Sequence, residues 1–429
     1  MVDFSYQTGF GNHFETEADP GILPHGQNSP QKVHGGLFTE QITGTAFTAP
    51  RGSMRRSWVY RMRPSVRHFS NLQPIDNGLI RTGPDEESVS APVQLRWDPF
   101  PASSLKTNWL TGLTTVATNG SNEMQTGGAV HHFVATDSME DLAFVDTDGE
   151  LMLVPYDGRL VVRTEMGHIH VAPGYLAVIP RGVKFAVDLL DSTARGYVCE
   201  NYGPAFDLPE HGLLGPDANA LPRDFEYPVA SYDASDSATK LVAKISGQLY
   251  ATDLEHSPFD VVAWHGNLSP YRYELRRFCA VGPVIFDHPD PSIWTLLSSA
   301  SDTSGTANID FILFREHWRV AEHTFRPPWF HSNVMSELMG LIEGIYDAKA
   351  EGFLPGGISI HNSFIPHGPD TAAYESATQA ELGPVKGPDS LAVMWESRYR
   401  WAPTSWAMAL PELQSDYPDR WADLHREYN

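Results

Sequence analysis

The sequence predicts a mainly β protein: two jelly-roll-like β regions, the C-terminal one carrying a metal, with only short helices. Three observations predict it. Glycine (35) and proline (33) are both frequent, so the chain is punctuated by turns at short intervals. Short β-type runs recur between Asp-Gly, Pro-Gly and Arg-Gly turns, the spacing of an antiparallel sandwich or barrel. Long stretches with helical periodicity are scarce.

Taken in order, residues 1–60 are rich in Gly, Asn, Pro and Gln, as in Gly9-Phe10-Gly11-Asn12, and read as an irregular arm packed on a body or a neighbouring subunit. Strands begin near Ser57-Trp-Val-Tyr-Arg61. The pattern is clearest over residues 130–200, where Gly149-Glu-Leu-Met-Leu-Val-Pro155, Gly158-Arg-Leu-Val-Val-Arg-Thr164, His168-Ile-His-Val171, Tyr175-Leu-Ala-Val-Ile-Pro180 and Lys184-Phe-Ala-Val-Asp188 are all strand-like. Residues 203–245 look like a looser connection. A second strand-rich region runs from about residue 281 to 396, with strands expected at 294–297, 310–314, 336–346 and 391–395 and an exposed loop at 298–307. A helix-like segment, 413–428, closes the chain. The expected division is an N-terminal β-rich domain, 1–275, made of the arm and a metal-free jelly roll, and a C-terminal metal-binding domain, 276–429. A faint echo of spacing supports a duplicated barrel: Glu150, Gly158, Pro173-Gly174 and Pro180-Arg-Gly182 against Glu337, Gly344, Pro355-Gly356 and Pro366-His-Gly368.

Bulk properties exclude several function classes. A formal charge of −23 argues against nucleic acid or an anionic membrane surface as partner, since both require clustered Lys and Arg. Two cysteines, Cys199 and Cys279, make no CxxC pair and no disulfide framework, which fits a reducing, cytoplasmic setting. The first residues lack a basic region followed by an apolar core, and no apolar run approaches the ~20 residues that span a bilayer.

Chemistry concentrates in His331-Ser-Asn-Val-Met-Ser-Glu337. On a helix, six steps of ~100° would point His331 and Glu337 to separate faces; on one strand their even spacing would place both on the same face, with Asn333 and Met335 between them. Gly344 suits a tight turn after that strand. Downstream, His361 in Ile360-His-Asn362 and His367 in Pro366-His-Gly-Pro-Asp370 each offer a third donor, and the residues alone leave both open. Two neutral imidazoles and one carboxylate form the facial triad of non-haem Fe(II) oxygenases, leaving adjacent positions for an anionic substrate and O₂.

The spacing His331-x-Asn333-x3-Glu337-x6-Gly344 is similar to the first cupin motif, with Asn333 in place of its second histidine. More specifically, a series of segments resembles the homogentisate 1,2-dioxygenase family: Gly9-Phe-Gly-Asn12, Arg56-Ser-Trp-Val-Tyr-Arg61, Val262-Ala-Trp-His-Gly-Asn267, Phe286-Asp-His-Pro-Asp-Pro-Ser-Ile293, Thr324-Phe-Arg-Pro-Pro328, Met335-Ser-Glu-Leu-Met-Gly-Leu-Ile342, Gly352-Phe-Leu-Pro-Gly356 and Pro366-His-Gly-Pro-Asp370. They occur in order from residue 9 to 370. The resemblance implies one Fe(II) per chain held by His331, Glu337 and His367. It also implies His288 as acid/base group and a substrate contact at Tyr346, with His361 beside the metal or facing substrate along with His367. His168 and His170 form a HxH, but no Glu follows at the motif interval, and Phe185 stands where the second motif would place a histidine. The N-terminal region is therefore expected to hold no metal.

The implied reaction is O₂-dependent ring opening of homogentisate to maleylacetoacetate, a step of tyrosine and phenylalanine catabolism, in a homohexamer. Substrate would chelate iron through its carboxylate and adjacent hydroxyl, beside O₂. Two competing readings are a cupin dioxygenase for another aromatic acid, such as gentisate, and a non-catalytic bicupin binding protein.

Overall fold

The computed structural model describes every residue except 1–3, 85–90, 102–104, 211–213, 216–218, 347–351, 388, 427 and 429. The chain is mainly β. A central sheet runs in the order Tyr6–Thr8, Phe225–Pro228, Tyr271–Glu274, Tyr175–Ile179, Glu150–Asp157, Ala194–Asn201, Thr126–Ala135, Leu113–Ser121 and Ala402–Pro403. Its strands bury both faces. Along Glu150–Asp157, Leu151 and Leu153 enter one apolar core, whereas Met152, Val154 and Tyr156 enter another. Tyr175–Ile179 divides in the same way, Ala177 and Ile179 against Leu176 and Val178. Alternation of side chains across a strand makes this possible, and burial on both sides explains why these runs read as continuously apolar.

One face packs on a second sheet that contains Leu160–Thr164, Phe185–Leu189, Leu142–Asp146, Thr239–Ile245 and Gln248–Leu254. Phe185 lies fully buried there against Trp109 and Phe144. The other face packs on a six-stranded sheet in the order Thr295–Ala300, Ala307–Arg315, Leu391–Ser397, Ser336–Glu343, Ile358–His361 and Leu95–Trp97. Leu95–Trp97 comes from the first quarter of the chain and pairs with Ile358–His361, while Ala402–Pro403 returns to pair with Leu113–Ser121. The halves thus exchange edge strands.

Three expectations are corrected. The first sixty residues are not an irregular arm: Phe14–Glu17, Phe38–Thr43 and Arg56–Arg61 join Val261–Gly266 in a four-stranded sheet. Its buried Arg61 pairs with Asp260, Glu165 and Glu40, long-range partners invisible to local patterning. The stretch 203–245 contains two paired strands, Phe225–Pro228 and Thr239–Ile245. Among the described residues the 413–428 helix does not form: a 3₁₀ turn, Tyr417–Trp421, stands there instead. Pro418 opens that turn, and a proline there cannot sit in the interior of a helix begun at 413. Among the described residues the α-helices are Thr371–Gln379, capped by the Asp370 side chain, and Ser405–Met408, capped by Thr404.

Candidate active site

Strand Ser336–Glu343 carries the site. Even-numbered Leu338 and Gly340 lie on its face toward the central sheet, where Tyr197 approaches Gly340 so closely that an added Cβ would lie 2.8 Å from the ring. The odd-numbered face, with Glu337 and Met339, lines a hollow on the other side. Glu337 has two direct cross-strand neighbours, His361 and Glu396, which therefore share its face. Gly344 ends this element with φ +79°; a Cβ there would lie 2.2 Å from the Asp389 carbonyl oxygen, so the turn requires glycine.

His331 does not lie on the Glu337 strand, contrary to the same-strand expectation. The chain turns at Asn333, whose side-chain oxygen accepts from the Met335 N–H and whose carbonyl accepts from Phe364 N at 2.9 Å. Convergence comes from a different pairing. His331 N donates to His367 O at 2.9 Å and His367 N to His331 O at 3.0 Å, so the two residues form an isolated hydrogen-bonded antiparallel pair. Directly opposed residues project to one side, and their rings meet with centroids 4.3 Å apart.

His367 Nε2 lies 3.0 Å from Glu337 Oε2, and His331 Nε2 lies 3.6 Å from Oε1. Both histidines anchor the opposite nitrogen on backbone: His331 Nδ1 donates to Trp329 O at 2.8 Å and His367 Nδ1 to Ile365 O at 3.0 Å. Each Nδ1 therefore holds a proton, and both Nε2 atoms aim at one carboxylate. Lone pairs facing a carboxylate repel it unless a proton or a cation lies between them. The Glu337 carboxylate facing it raises the His331 pKa above its ordinary value. Burial pushes the Glu337 carboxyl up, but the three histidines hold it well below the usual range. One ligand atom each from His331, Glu337 and His367 lie within 4.8 Å of one another. A set of two imidazoles and one carboxylate, with Glu337 and His367 buried and His331 partly exposed, and both imidazoles oriented by backbone carbonyls, fits a divalent ion such as Fe(II).

The other expected residues border the same hollow. His288 donates from Nδ1 to Pro289 O at 2.8 Å, so in the neutral ring Nε2 carries the lone pair. Its ring stands edge-on to Trp294 and Trp329. Asp287, at φ +70°, and the Asp290 cap on Ser292 N shape the turn that presents it. Tyr346 packs against Phe314 and Phe353. His361 is buried, stacked on His367, with Nδ1 3.8 Å from Glu337 Oε2.

Several lining groups escaped the sequence reading. Trp294, Phe314, Met339 and Met394 form apolar walls. Glu396, across from Glu337, shares the Asn333 amide with it, and burial with the nearby charge of Glu337 pushes its carboxyl up to about 8. A carboxyl inside the apolar run Leu391-Ala-Val-Met-Trp-Glu396 was the available signal. Two further donor groups lie outside this site, His68–His256–Asp260 and Asp146–Asp148–Glu200. Buried cations already face both: Arg61 bonds Asp260 at 2.8 Å, and Lys244 bonds Asp148 at 3.1 Å and also Glu200.

A homogentisate 1,2-dioxygenase from Rhodopseudomonas palustris (strain BisB18) is 54% identical over 424 residues, covering 99% of this chain and 95% of the relative. One from Bradyrhizobium diazoefficiens is 52% identical over 429 residues, covering 100% and 96%. One from Nitrobacter hamburgensis is 53% identical, covering 99% and 95%. Among solved structures, a cupin 2 conserved barrel domain protein from Leptotrichia buccalis aligns over 69% of this chain and 91% of its own, at TM-score 0.30 and 8% identity, too distant to bear on the site. The family models "Homogentisate 1,2-dioxygenase N-terminal" and "Homogentisate 1,2-dioxygenase C-terminal" match residues 5–275 and 276–428. With relatives above half identity over nearly their whole length and the two family models together matching residues 5–428, the chain belongs to the homogentisate 1,2-dioxygenase family.

Proposed function

We propose that this protein cleaves the aromatic ring of homogentisate with O₂ to give maleylacetoacetate, using one Fe(II) per chain held by His331, Glu337 and His367. The observation that carries this reading is the convergence of the two Nε2 atoms on the Glu337 carboxylate at the edge of an apolar hollow. When bound, the iron supplies a Lewis-acidic redox centre at which substrate and O₂ meet.

The chain's own residues do the rest. Glu337 contributes one negative charge, so two of the iron's positive charges are only half neutralised and an anionic substrate is attracted. Trp294, Phe314, Met339 and Met394 exclude water and lie against the ring faces. His288 Nε2 accepts a proton from a ring hydroxyl, its Nδ1–H being occupied by the Pro289 carbonyl. Tyr346 and His361, which both line the hollow, contact substrate.

The remaining parts of the proposal are a boundary at 275/276, a cytoplasmic location and a homohexamer. The exposed Trp318, Trp329, Phe330, Val334 and Phe364 around this region support association between copies. No helix among the described residues is long and apolar enough to cross a membrane.

The test is anaerobic reconstitution with Fe(II), metal analysis, and oxygen uptake with a panel of hydroxylated phenylacetates and benzoates. Uptake with homogentisate, at one iron per chain, is expected. Uptake with gentisate instead would replace the substrate, and no uptake at full iron content would sink the catalytic reading. Light scattering showing a monomer at micromolar concentration would remove the hexamer.

A further inference from the structure

Beside the proposed metal site stands a residue that is neither ligand nor wall. Asn333 occupies the bend between His331 and Glu337 and is half-buried there. Its side-chain amide has an oxygen that can only accept and a nitrogen that can only donate. Met335 N–H donates to that side chain, so the atom it meets is Oδ1, and the amide has a single orientation. The assignment owes nothing to the charge of any ligand. Nδ2 is thereby turned inward, where it donates to Glu337 Oε1 at 3.3 Å and to Glu396 Oε1 at 3.5 Å. Those two carboxyl groups are directly opposed on neighbouring strands, and an amide nitrogen carries one hydrogen for each.

The bend itself is anchored from the loop that joins His361 to His367. Phe364 N donates to the Asn333 carbonyl at 2.9 Å, and Ser363 N donates to Ser336 Oγ at 2.9 Å. Phe364 adopts φ +59°, a conformation that a bulky residue keeps only where its surroundings hold it. Asn333 is therefore tied to all three donors, along the chain to His331 and Glu337 and through this loop to His367. The two oxygens of Glu337 are unlike as a result. Oε1 receives the Asn333 amide, whereas Oε2 lies 3.0 Å from His367 Nε2. A carboxylate binds a cation through one oxygen or through both, and a hydrogen bond on one of them favours the first mode.

We propose that Asn333 is a positioning residue whose amide N–H holds Glu337 Oε1, so that the carboxylate meets the ion through Oε2 alone and leaves the adjacent position to the substrate. This deepens the function proposed above and rests on its ligand assignment.

Asn333→Ser separates that role from the shaping of the bend. The serine hydroxyl still accepts from Met335 N–H but has no nitrogen to reach Glu337. Asn333→Thr, with the same hydroxyl, is the second variant should the first fail to fold. Protein loaded with Co(II), a spectroscopic stand-in for Fe(II), gives a readout independent of turnover. Wild type and Glu337→Gln establish the site first: identical cobalt spectra and affinities in the two would sink the ligand assignment itself. With cobalt at Glu337, Asn333→Ser is expected to keep the denaturation midpoint of the apoprotein and to lose visible absorption intensity, as the released carboxylate adds its second oxygen and raises the coordination number. In the Fe(II) protein without oxygen, the variant should bind homogentisate about tenfold more weakly, the low end of the usual cost of losing a ligand's hydrogen-bond partner. An unchanged cobalt spectrum overturns the proposal, and with a lowered midpoint it makes Asn333 a turn residue only. A changed spectrum with undiminished homogentisate affinity overturns the part that concerns the substrate's position. If the spectrum changes but even wild type binds no homogentisate, the Asn333 assignment stands and the substrate reading falls.

Discussion

At the scale of single residues, the three donors and their neighbours separate by what each nitrogen already holds. His331 and His367 spend Nδ1 on backbone carbonyls and turn Nε2 to Glu337, whereas His361 spends Nε2 on Tyr417. His331→Ala, Glu337→Ala and His367→Ala are each expected to lose most iron and nearly all turnover with an unchanged circular dichroism spectrum. His361→Ala should keep iron and lose activity. If His361→Ala empties the site and His367→Ala does not, the ligand assignment is reversed. His288 stands apart from that cluster, at the wall formed by Trp294 and Trp329. His288→Gln should retain iron and substrate binding yet lose about 10²–10⁴ in kcat, the usual contribution of a general base. Near-wild-type kcat with an unchanged pH profile would make it only a turn residue.

At the scale of elements, strand Ser336–Glu343 must satisfy two neighbours. Its Leu338–Gly340 face receives Tyr197, whose hydroxyl donates to Leu341 O at 3.1 Å and Gly357 O at 2.8 Å. A methyl group at Gly340 would meet that ring at 2.8 Å, so Gly340→Ala should destabilise the protein by about 1–3 kcal/mol, the typical cost of overpacking. Because the opposite face carries Glu337, the variant should also bind iron more weakly. Chemical denaturation and metal analysis together check this, and an unaltered midpoint would show that the ring moves aside at no cost.

At the scale of the molecule, buried titratable groups set the response to pH. His68, His131 and His132 are buried, and burial first, with nearby cations, lowers their pKa values to about 2, 3 and 3. The unfolded chain binds these protons near 6.5, so each histidine opposes folding progressively as pH falls from there. Buried carboxyls act in the other direction: burial pushes Glu150 up to about 7 and Glu396 up to about 8, so folding takes up their protons above the unfolded value of 4.5. Between 6.5 and 4.5 the two sets oppose each other. Below about 4.5 those carboxyls are protonated in both states, while the histidines and the carboxylates that the fold holds low, such as Glu337 and Glu165, all cost stability as pH falls, so stability should fall steeply there. Glu150 isolates one component. Glu150→Gln preserves an acceptor for Phe206 N and should stabilise the protein by on the order of 2–3 kcal/mol at pH 8, vanishing near pH 4. Equal midpoints for variant and wild type at pH 8 would show that Glu150 ionises without cost.

Strand content and donor chemistry were legible because they depend on local order. Apolar runs between turn residues marked Glu150–Asp157, Tyr175–Ile179 and Leu391–Ser397, and the two imidazoles and the carboxylate could be named with their spacing. Local order also misled. Glycine and asparagine in the first sixty residues suggested an arm, but pairing with Val261–Gly266, two hundred residues on, makes strands of them. An even spacing suggested that His331 and Glu337 share a strand, but His331 is placed by its backbone pair with His367. By itself, the sequence determined that this is a β protein with a nitrogen–oxygen donor set in its last third, since alternation and residue type require no partner. Only the tertiary structure decided which imidazole faces Glu337 at 3.0 Å and which meets the Tyr417 hydroxyl, because those distances depend on pairings across 30 and 56 residues that no local pattern encodes.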